Sequence, residues 1–377
     1  ENYGASVSIS GDYVAVGAPG GLFDGEVTVI ELNTRDIIGS NTIVGDGSTG
    51  FRRVGRLVQL AKNGTMLAVA GEQAVRVYEL VNDLWEQYGE ELGSVHLRAG
   101  GVSSPLDWKV TSISVDFTVD GTFVIAISVL DAGQLGLVHV FQEASDSETG
   151  NVRWVRSGEE PLSYNATEGL FRAILTKDAT RLVVGIGRAP DEGSPLVAHE
   201  YDEDSMDWGN GTESLVDGSI STFSVVTLPG MNHSYVAFIS DVFGSLFSVN
   251  GTGFMDLQWG RFEVYFDNTE FIPTFDVAFS PGGKYLSFVY LLEPVFIARF
   301  FKIDPDLEEW TKSFDDVHHS GFISSGGPVE KISMAISEDA TRIAYGLPEI
   351  DDSRAGTSTV GTMFVYRRAT DGTQFEW

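Results

Sequence analysis

The sequence of 377 residues predicts an all-β fold built from seven copies of one unit. An alternating strand, a polar turn and an apolar strand recur seven times, and no segment of ten or more residues has the 3.6-residue period of a helix. The turn points lie 51 to 58 residues apart, at Gly11, Gly64, Gly121, Ala179, Gly230, Gly283 and Ala340. Such a period indicates one supersecondary unit repeated along the chain.

Each copy adds two further strands to the first pair. In copy one, residues 6–10 and 13–17 are followed by residues 26–30, and in copy two the third strand has the form Val-x-Val-Tyr at residues 75–78. Copy five is the weakest. A tryptophan follows the third strand and marks a fourth one, at Trp85, Trp154, Trp208, Trp310 and Trp377, with Trp259 close to that place in copy five. Copy one has Ile37 and Ile38 there instead.

Four short antiparallel strands joined by Gly, Asn and Asp turns are typical of a β-propeller blade. We therefore predict one propeller domain over residues 1–377, with seven blades of four antiparallel strands. The predicted blades span residues 1–48, 49–100, 101–160, 161–215, 216–268, 269–322 and 323–377. A solenoid of stacked units is the alternative, although its units are usually shorter and need terminal caps. No spare strand precedes Tyr3, so we expect closure by face-to-face packing or by residues outside this sequence.

Composition excludes several classes of protein. The chain has 24 Lys and Arg against 54 Asp and Glu, a net charge of −30, which argues against nucleic acid as a partner. No run of about eighteen apolar residues predicts a transmembrane segment. Cysteine is absent, so we expect neither disulfides nor a thiolate metal site. The chain begins at Glu1 without a basic or apolar leader, so we expect a signal peptide to have been removed or never included.

The repeats resemble known propeller families. Residues 16–19, Val-Gly-Ala-Pro, followed by Gly-Glu-Val-Thr-Val at residues 25–29, resemble the FG-GAP repeat of integrin-α-type propellers. Other copies resemble repeats of large secreted propeller proteins of microbes and algae, and residues 279–286 resemble a WD40 strand pair. The calcium loop frequent in FG-GAP repeats is not matched at residues 10–12 or 62–64, so the resemblance implies no calcium there. The Gly-His and Trp-Asp pairs of WD40 repeats do not accompany residues 279–286.

Two acidic loops at the same place in the repeat are candidate calcium sites. Calcium takes six to eight oxygen ligands, and alternate acidic residues in a tight turn can supply several of them. The candidate ligands are Asp202, Asp204 and Asp207 before Trp208, and Asp304, Asp306 and Glu308 before Trp310. The alternative is a pair of solvated acidic turns, which a chain of this charge is expected to have.

Other motifs favour structural roles. Catalytic signatures such as Gly-x-Ser-x-Gly, His-Glu-x-x-His and the P-loop are absent from the sequence. We expect His318 and His319 to lie in a solvated loop, because neighbours on an extended chain point to opposite sides. His139 and His199 occupy matching strand positions, which favours packing over metal ligation. The arginines of residues 52–56 and 367–368 either bind an acidic partner or pair with carboxylates of the chain.

N-glycosylation sequons favour secretion. Five occur, at Asn63, Asn165, Asn210, Asn232 and Asn250. The alternative is that these Asn and Thr residues simply suit turns and strands.

The leading hypothesis is a non-catalytic extracellular module that binds a protein or glycan partner through loops on one propeller face, alone or within a larger extracellular assembly. A propeller hydrolase or lyase acting on polysaccharide is the second hypothesis, and an intracellular WD40-like scaffold is the third. Paired carboxylates in an axial funnel would favour the enzyme.

Overall fold

The structure is a computed structural model. The described residues are 3–48, 50–97, 108–131, 135–146, 151–158, 160–166, 170–187, 193–202, 204–216, 220–227, 234–240, 244–250, 253–256, 274–280, 283–292, 295–304, 309–312, 317–320, 332–347, 361–368 and 375–376. Helices in this part are one short turn each: two 3-10 turns at Leu22–Asp24 and Lys62–Gly64, and α1 at Ser94–Leu97. None of them has the length and hydrophobicity needed to span a membrane.

The described strands fall into seven antiparallel sheets, numbered here in chain order, and four of these have four strands each. Sheet 1 contains β1 (Ser6–Ser10), β2 (Tyr13–Ala18), β3 (Glu26–Glu31) and β4 (Ile43–Val44). Sheet 2 contains β5 (Leu57–Ala61), β6 (Met66–Ala70), β7 (Val75–Val81) and β8 (Leu84–Gln87). Sheet 5 contains β19 (Ile220–Thr227), β20 (Ser234–Ser240), β21 (Gly244–Asn250) and β22 (Gly253–Asp256). Sheet 7 contains β28 (Ser333–Ile336), β29 (Arg342–Leu347), β30 (Thr362–Arg368) and β31 (Phe375–Glu376).

The other three sheets have five strands. Sheet 3 contains β9 (Trp108–Phe117), β10 (Phe123–Asp131), β11 (Leu135–Ser145), β12 (Val152–Arg156) and β13 (Leu162–Asn165). Sheet 4 contains β14 (Phe171–Leu175), β15 (Arg181–Ile186), β16 (Ser194–Asp202), β17 (Asp207–Trp208) and β18 (Thr212–Val216). Sheet 6 contains β23 (Thr274–Phe279), β24 (Tyr285–Leu292), β25 (Val295–Asp304), β26 (Glu309–Lys312) and β27 (Val317–Ser320).

The predicted fold class, seven blades of four antiparallel strands, is therefore wrong as stated, because three sheets have a fifth strand. In each of these sheets the long third strand pairs with two successive outer segments, for example β11 with β12 at one half and with β13 at the other. The outer strand is thus split. In sheet 4 the break falls at residues 209–211, Gly-Asn-Gly, a sequence that favours a turn over a continuous strand.

The first strands of the sheets surround a central axis. Each first strand packs against the first strand of the next sheet, and β28 of sheet 7 packs against β1 of sheet 1, so the ring is closed. Gly17 marks one close approach, because a Cβ atom there would lie 1.9 Å from the carbonyl oxygen of Gly55. The predicted β-propeller fold is confirmed.

Closure occurs by packing of sheet 7 against sheet 1, without a strand shared between them among the described residues. The Ser333 hydroxyl donates to the carbonyl oxygen of Gly4 over 3.0 Å. The Arg342 guanidinium, whose side chain is 11% exposed, forms an ion pair with Asp12 and donates to the Asn33 amide oxygen over 2.5 Å. Sheet 1 and sheet 7 are thereby joined both near the axis and further out.

The predicted fourth-strand tryptophans lie in outer strands and tie neighbouring sheets together. Trp85, Trp154, Trp208 and Trp310 lie in β8, β12, β17 and β26, respectively. The indole of Trp85 donates to the carbonyl oxygen of Ile38 over 3.1 Å, and the indole of Trp154 donates to the backbone carbonyl oxygen of Glu90 over 3.0 Å. Trp259 and Trp377 lie outside the described residues.

Candidate functional site

The axial channel is the space enclosed by the seven first strands. Along several of these strands half-buried and buried residues alternate, as in β14, where Arg172 and Ile174 are half-buried between buried neighbours. The same alternation occurs in β5 and β28. Because side chains of a strand alternate between its two faces, the half-buried set lies on the face that packs against the next sheet, at the inner edge beside the channel. Leu57, Ile174 and Ala335 of this set pack there against hydrophobic clusters.

Serine side chains join the first strands of neighbouring sheets. The Ser6 and Ser8 hydroxyls accept hydrogen bonds from the backbone N–H groups of Val58 and Leu60, each over 2.9 Å. The exposed inner edge of a sheet leaves such N–H groups without a strand partner, so a side-chain acceptor stabilises it. The acceptor and the donor each move two residues along the sequence from one bond to the next, so the first strands of these two sheets, β1 and β5, run in the same direction.

The same arrangement recurs between sheets 3 and 4. Ser112 accepts from the Ala173 N–H over 3.0 Å, and Ser114 accepts from the Leu175 N–H over 2.9 Å.

We call the end of the channel at which the first strands begin the upstream mouth, and the end at which they finish the downstream mouth.

Arg172 places a positive charge at the inner edge between sheets 4 and 5, near the upstream mouth. Its guanidinium lies 6.0 Å from the ring centroid of Phe223 on the next first strand, β19. Burial lowers the pKa of Arg172, and the negative charge of Asp276 on β23 opposes that shift. No hydrogen bond or ion pair joins this guanidinium to any residue in the described part of the chain.

Asp276, by contrast, is held by several donors. One carboxylate oxygen accepts from the Thr222 hydroxyl and from the Val277 N–H, each over 3.0 Å. The other accepts from the Met334 N–H of sheet 7 over 2.9 Å. This carboxylate therefore joins three sheets and serves the structure of the ring.

An ion pair spans the downstream mouth. The Lys177 ammonium in the β14–β15 turn lies 2.8 Å from the Glu338 carboxylate in the β28–β29 turn, and these turns belong to sheets three places apart in the ring. Both side chains are about half exposed, so water weakens the attraction.

Asp116 lies near the same mouth, at the end of β9. Burial raises the pKa of this carboxyl to about 7, against the hydrogen bond from the Phe117 N–H and the charge of Lys177, while Asp178 raises it further. Asp116 and Asp276 lie on sheets three places apart and do not form a carboxylate pair.

Two loops at the upstream mouth form a projecting surface, which we call the platform and define as residues 22–25 and 52–56. Phe23 is 72% exposed and has φ 54°, and the next residue, Asp24, has φ 65°. Arg53, which is exposed, has φ 52°. Left-handed backbone costs a residue with a side chain about 1–2 kcal/mol, so surrounding contacts must hold these conformations.

Contacts between the two loops supply that support. The Val54 N–H donates to the carbonyl oxygen of Asp24 over 2.8 Å, and Gly25 forms an isolated parallel bridge with Val54. The Glu72 N–H in turn donates to the carbonyl oxygen of Arg52 over 2.7 Å. The backbone of the platform is therefore fixed from two sides.

Arg76 anchors the segment that leads into the platform. The Arg76 guanidinium bonds to Asp46 and Glu91, each over 2.6 Å, and lies 4.0 Å from the ring centroid of Phe51. Burial opposes the charge of Arg76, but the bonds to the two carboxylates raise its pKa. Hydrogen bonds from Ser48, together with those from Arg76, lower the pKa of Asp46 to about 2.

The platform concentrates positive charge in a strongly acidic protein. Arg52 and Arg53 are exposed, and Arg56 is half-buried. Burial lowers the pKa of Arg56, as does repulsion from Arg53, whereas Glu72 acts in the opposite direction. None of these three guanidinium groups forms an ion pair with a residue that the structure describes. Arg368, of the second predicted cluster, donates to the Tyr285 hydroxyl over 3.5 Å.

The acidic loop of sheet 4 is exposed. Asp202 accepts from the Asp204 N–H over 3.0 Å and from the Ser205 hydroxyl over 2.8 Å, while Asp207 accepts from the Trp208 N–H over 2.8 Å. No group of three or more potential metal ligands converges within the described ranges. In sheet 6, Asp304 ends β25, and Asp306 and Glu308 lie outside the described residues. Calcium binding stays a prediction.

The sequon asparagines that the structure describes in full are exposed: Asn63, Asn165 and Asn210. Asn210 lies at the break in the outer strand of sheet 4, and Asn165 ends β13. Asn250 ends β21, and Asn232 lies outside the described residues. Their glycosylation stays a prediction.

The four histidines discussed above lie in strands. His318 and His319 lie in β27, so the expected loop is wrong. His199 bonds to the carbonyl oxygen of Gly209 through Nδ1 over 2.8 Å and to the Tyr164 hydroxyl through Nε2 over 2.5 Å. His139 is fully buried and stacks on Phe141 with ring centroids 6.1 Å apart. His139 and His199 thus pack between blades, as expected.

Sequence reasoning missed Arg172, Asp276, Asp116 and Phe23. The first three lie on first strands of different repeats, and only ring closure brings these strands around one channel. Phe23 carried a weak signal, since residues 20–25 contain three glycines around an aromatic residue, a composition that favours a tight turn.

Comparison with known proteins supports the fold alone. No protein-family model and no curated relative matches the sequence, and the resemblance to FG-GAP repeats is not confirmed. The periplasmic gluconolactonase PpgL of Pseudomonas aeruginosa is similar in structure, with a TM-score of 0.60, 11% identity, and coverage of 96% of this chain and 93% of that chain. Hydrazine synthase of Kuenenia stuttgartiensis has a TM-score of 0.53 and 13% identity, with 98% and 97% covered. The Cps50 (Swd1) β-propeller domain of Myceliophteria thermophila has a TM-score of 0.52 and 12% identity, with 92% and 94% covered.

Proposed function

We propose that this protein is a non-catalytic extracellular interaction module that binds an acidic protein or glycan partner at the platform. The observation that carries the proposal is the exposed Phe23 beside Arg52 and Arg53, on backbone held in a left-handed conformation. Aromatic and arginine side chains dominate the binding energy of many protein interfaces. Strained backbone that neighbouring contacts maintain is concentrated at functional sites.

Rigidity of the platform favours binding. A surface that is already ordered loses less conformational entropy when a partner docks. The hydrogen bond from Val54 to Asp24 and the anchoring of Arg76 by Asp46 and Glu91 keep the platform ordered. Its positive charge, against a net charge of −30, selects an acidic partner and speeds encounter with it.

The binding test compares three immobilised proteins: the natural chain, the double variant Phe23→Asn and Arg53→Asn, and the control Val119→Ala. Asparagine tolerates left-handed backbone, so the double variant keeps the loop geometry. Val119 is 93% exposed in the β9–β10 turn near the downstream mouth. Each protein is exposed to extracellular proteins from the source organism and to an array of acidic and neutral glycans.

We expect components that bind the natural chain and Val119→Ala to bind the double variant at least about tenfold more weakly, because both anchor side chains are lost. Equal binding by all three proteins would contradict the proposal. Loss with Val119→Ala alone would place the docking surface at the downstream mouth instead.

Secretion is tested separately. The exposure of Asn63, Asn165 and Asn210 permits glycosylation. Intact-mass analysis of the native protein before and after enzymatic deglycosylation should show a mass loss that falls stepwise in single Asn→Gln variants at these positions. An unchanged mass would remove the sequon argument for an extracellular location, without affecting the platform.

A further inference from the structure

A cation whose donors are unused lies beside the upstream half of the channel. The Arg172 guanidinium offers five N–H donors in a planar fork and stays charged at any physiological pH. Its contacts in the described part of the chain are the ring of Phe223, at 6.0 Å, and the longer-range charge of Asp276. Burying a charged group without hydrogen-bond partners is costly, so a fold retains one where something compensates it.

Asp276 does not provide that compensation directly. Its two carboxylate oxygens are engaged by Thr222, Val277 and Met334, which fix the carboxylate between sheets 5, 6 and 7. The Arg172 guanidinium lies 6.0 Å from the ring centroid of Phe223, on the face of β14 that packs toward sheet 5, and its side chain is half-buried on the innermost strand of sheet 4. The unused donors of the fork therefore lie at the inner edge between sheets 4 and 5, beside the channel.

From this geometry we infer that the channel binds a small anion at Arg172, through a two-oxygen edge of the kind that carboxylates and phosphates present. Such an edge pairs with two parallel N–H groups of a guanidinium, and the pair is stronger than neutral hydrogen bonds. Lys109, the second residue of the neighbouring first strand β9, and Arg56, which immediately precedes β5 one sheet further on, add positive charge at the same mouth. They favour entry of an anion into the channel. The platform contributes to this site only the long-range charge of Arg56, since the anion enters the ring and touches neither Phe23 nor Arg53.

The test measures binding of citrate and of inorganic phosphate by titration calorimetry, at constant ionic strength maintained with chloride. Four proteins are compared: the natural chain, Arg172→Met, Arg172→Lys and the control Arg153→Met. Arg153 lies exposed on β12, so its replacement removes the same charge far from the channel. Citrate and phosphate distinguish a carboxylate ligand from a phosphate ligand.

We expect one of the two anions to bind the natural chain and Arg153→Met with one site per chain. Arg172→Met should bind it at least about tenfold more weakly, because the charged hydrogen bonds are lost. Arg172→Lys should be intermediate, since an ammonium cannot pair with both oxygens in the fork geometry. Circular dichroism confirms that each variant folds.

Absence of binding to the natural chain, or equal binding by Arg172→Met, would overturn the inference and leave Arg172 as a cation solvated by water alone. Binding that falls equally in Arg172→Met and Arg153→Met would also overturn it, because the effect would then follow net charge. Should Arg172→Met not fold, Arg172→Lys against the control decides the question in the same way.

Discussion

Replacing Ser112 by alanine tests how the blades are joined around the axis. The Ser112 hydroxyl is buried, accepts the Ala173 N–H over 3.0 Å and donates to the Ser128 hydroxyl over 2.9 Å. Ala173 and Ser128 are both fully buried, so water cannot replace the lost partner. A buried donor left unsatisfied costs about 1–3 kcal/mol. We therefore expect Ser112→Ala to lower the free energy of unfolding by about 2 kcal/mol.

The matched control is Ser163→Ala, in the outer strand β13 of the same sheet. Ser163 is exposed and makes no side-chain hydrogen bond within the described residues, so the same chemical change should cost less than about 0.5 kcal/mol. Adding Ser114→Ala to Ser112→Ala removes a second acceptor, for the Leu175 N–H, and should increase the loss by about 1–3 kcal/mol.

Urea denaturation followed by tryptophan fluorescence measures the stability change. Hydrogen exchange of the peptide covering residues 171–175 measures the local effect, and it should accelerate in Ser112→Ala but not in Ser163→Ala. Equal stability of the two variants, with unchanged exchange at residues 171–175, would refute the idea that serine acceptors join the inner edges.

Three further predictions concern ring closure and pH. Arg342→Met removes the bonds to Asp12 and Asn33. Because Asp12 is half exposed, the free energy of unfolding should fall by only about 1–2 kcal/mol. An unchanged midpoint of urea denaturation would contradict the role of Arg342 in ring closure. The pKa of Asp116 is raised to about 7, so the folded state holds this proton more tightly than the unfolded state, and the free energy of unfolding should fall by about 2–4 kcal/mol as pH rises from about 4 to 7. In thermal unfolding, Asp116→Asn should show a smaller loss of stability over the same pH range. The same pH dependence of stability in the variant and the natural chain would contradict this effect of Asp116. Burial, followed by the charge of Arg156, lowers the pKa of His139 to about 3, so the free energy of unfolding should fall as pH drops from about 6.5 toward 3. His139→Leu should lose less stability over this pH range than the natural chain. An equal loss in the two proteins would show that other groups cause the fall in stability.

The repeat pattern predicted the propeller because each copy carries its own strand alternation and turn residues. Trp85 and Trp154 marked outer strands correctly, since a large indole between two sheets leaves a regular sequence signal. The split outer strands were not predicted, because residues 209–211 read equally well as a turn between blades. A uniform count of four strands per blade was the consequence.

The candidate sites were less predictable for a physical reason. Ser6 and Ser8 were visible as an alternating pattern, but their role depends on the N–H groups of the next sheet, which only the closed ring supplies. Arg172 and Asp276 belong to different repeats, and no local spacing connects them. The left-handed backbone at Phe23 and Arg53 arises from contact between two loops, so neither loop alone predicts it.

Hydrogen exchange of the native protein, alone and saturated with a partner from the source organism, tests the central claim most directly. Docking at the platform should slow exchange at residues 22–25 and 52–56 and leave the turns at residues 118–122 and 338–341 unchanged. Protection confined to those turns at the downstream mouth, with no change at the platform, would contradict the account.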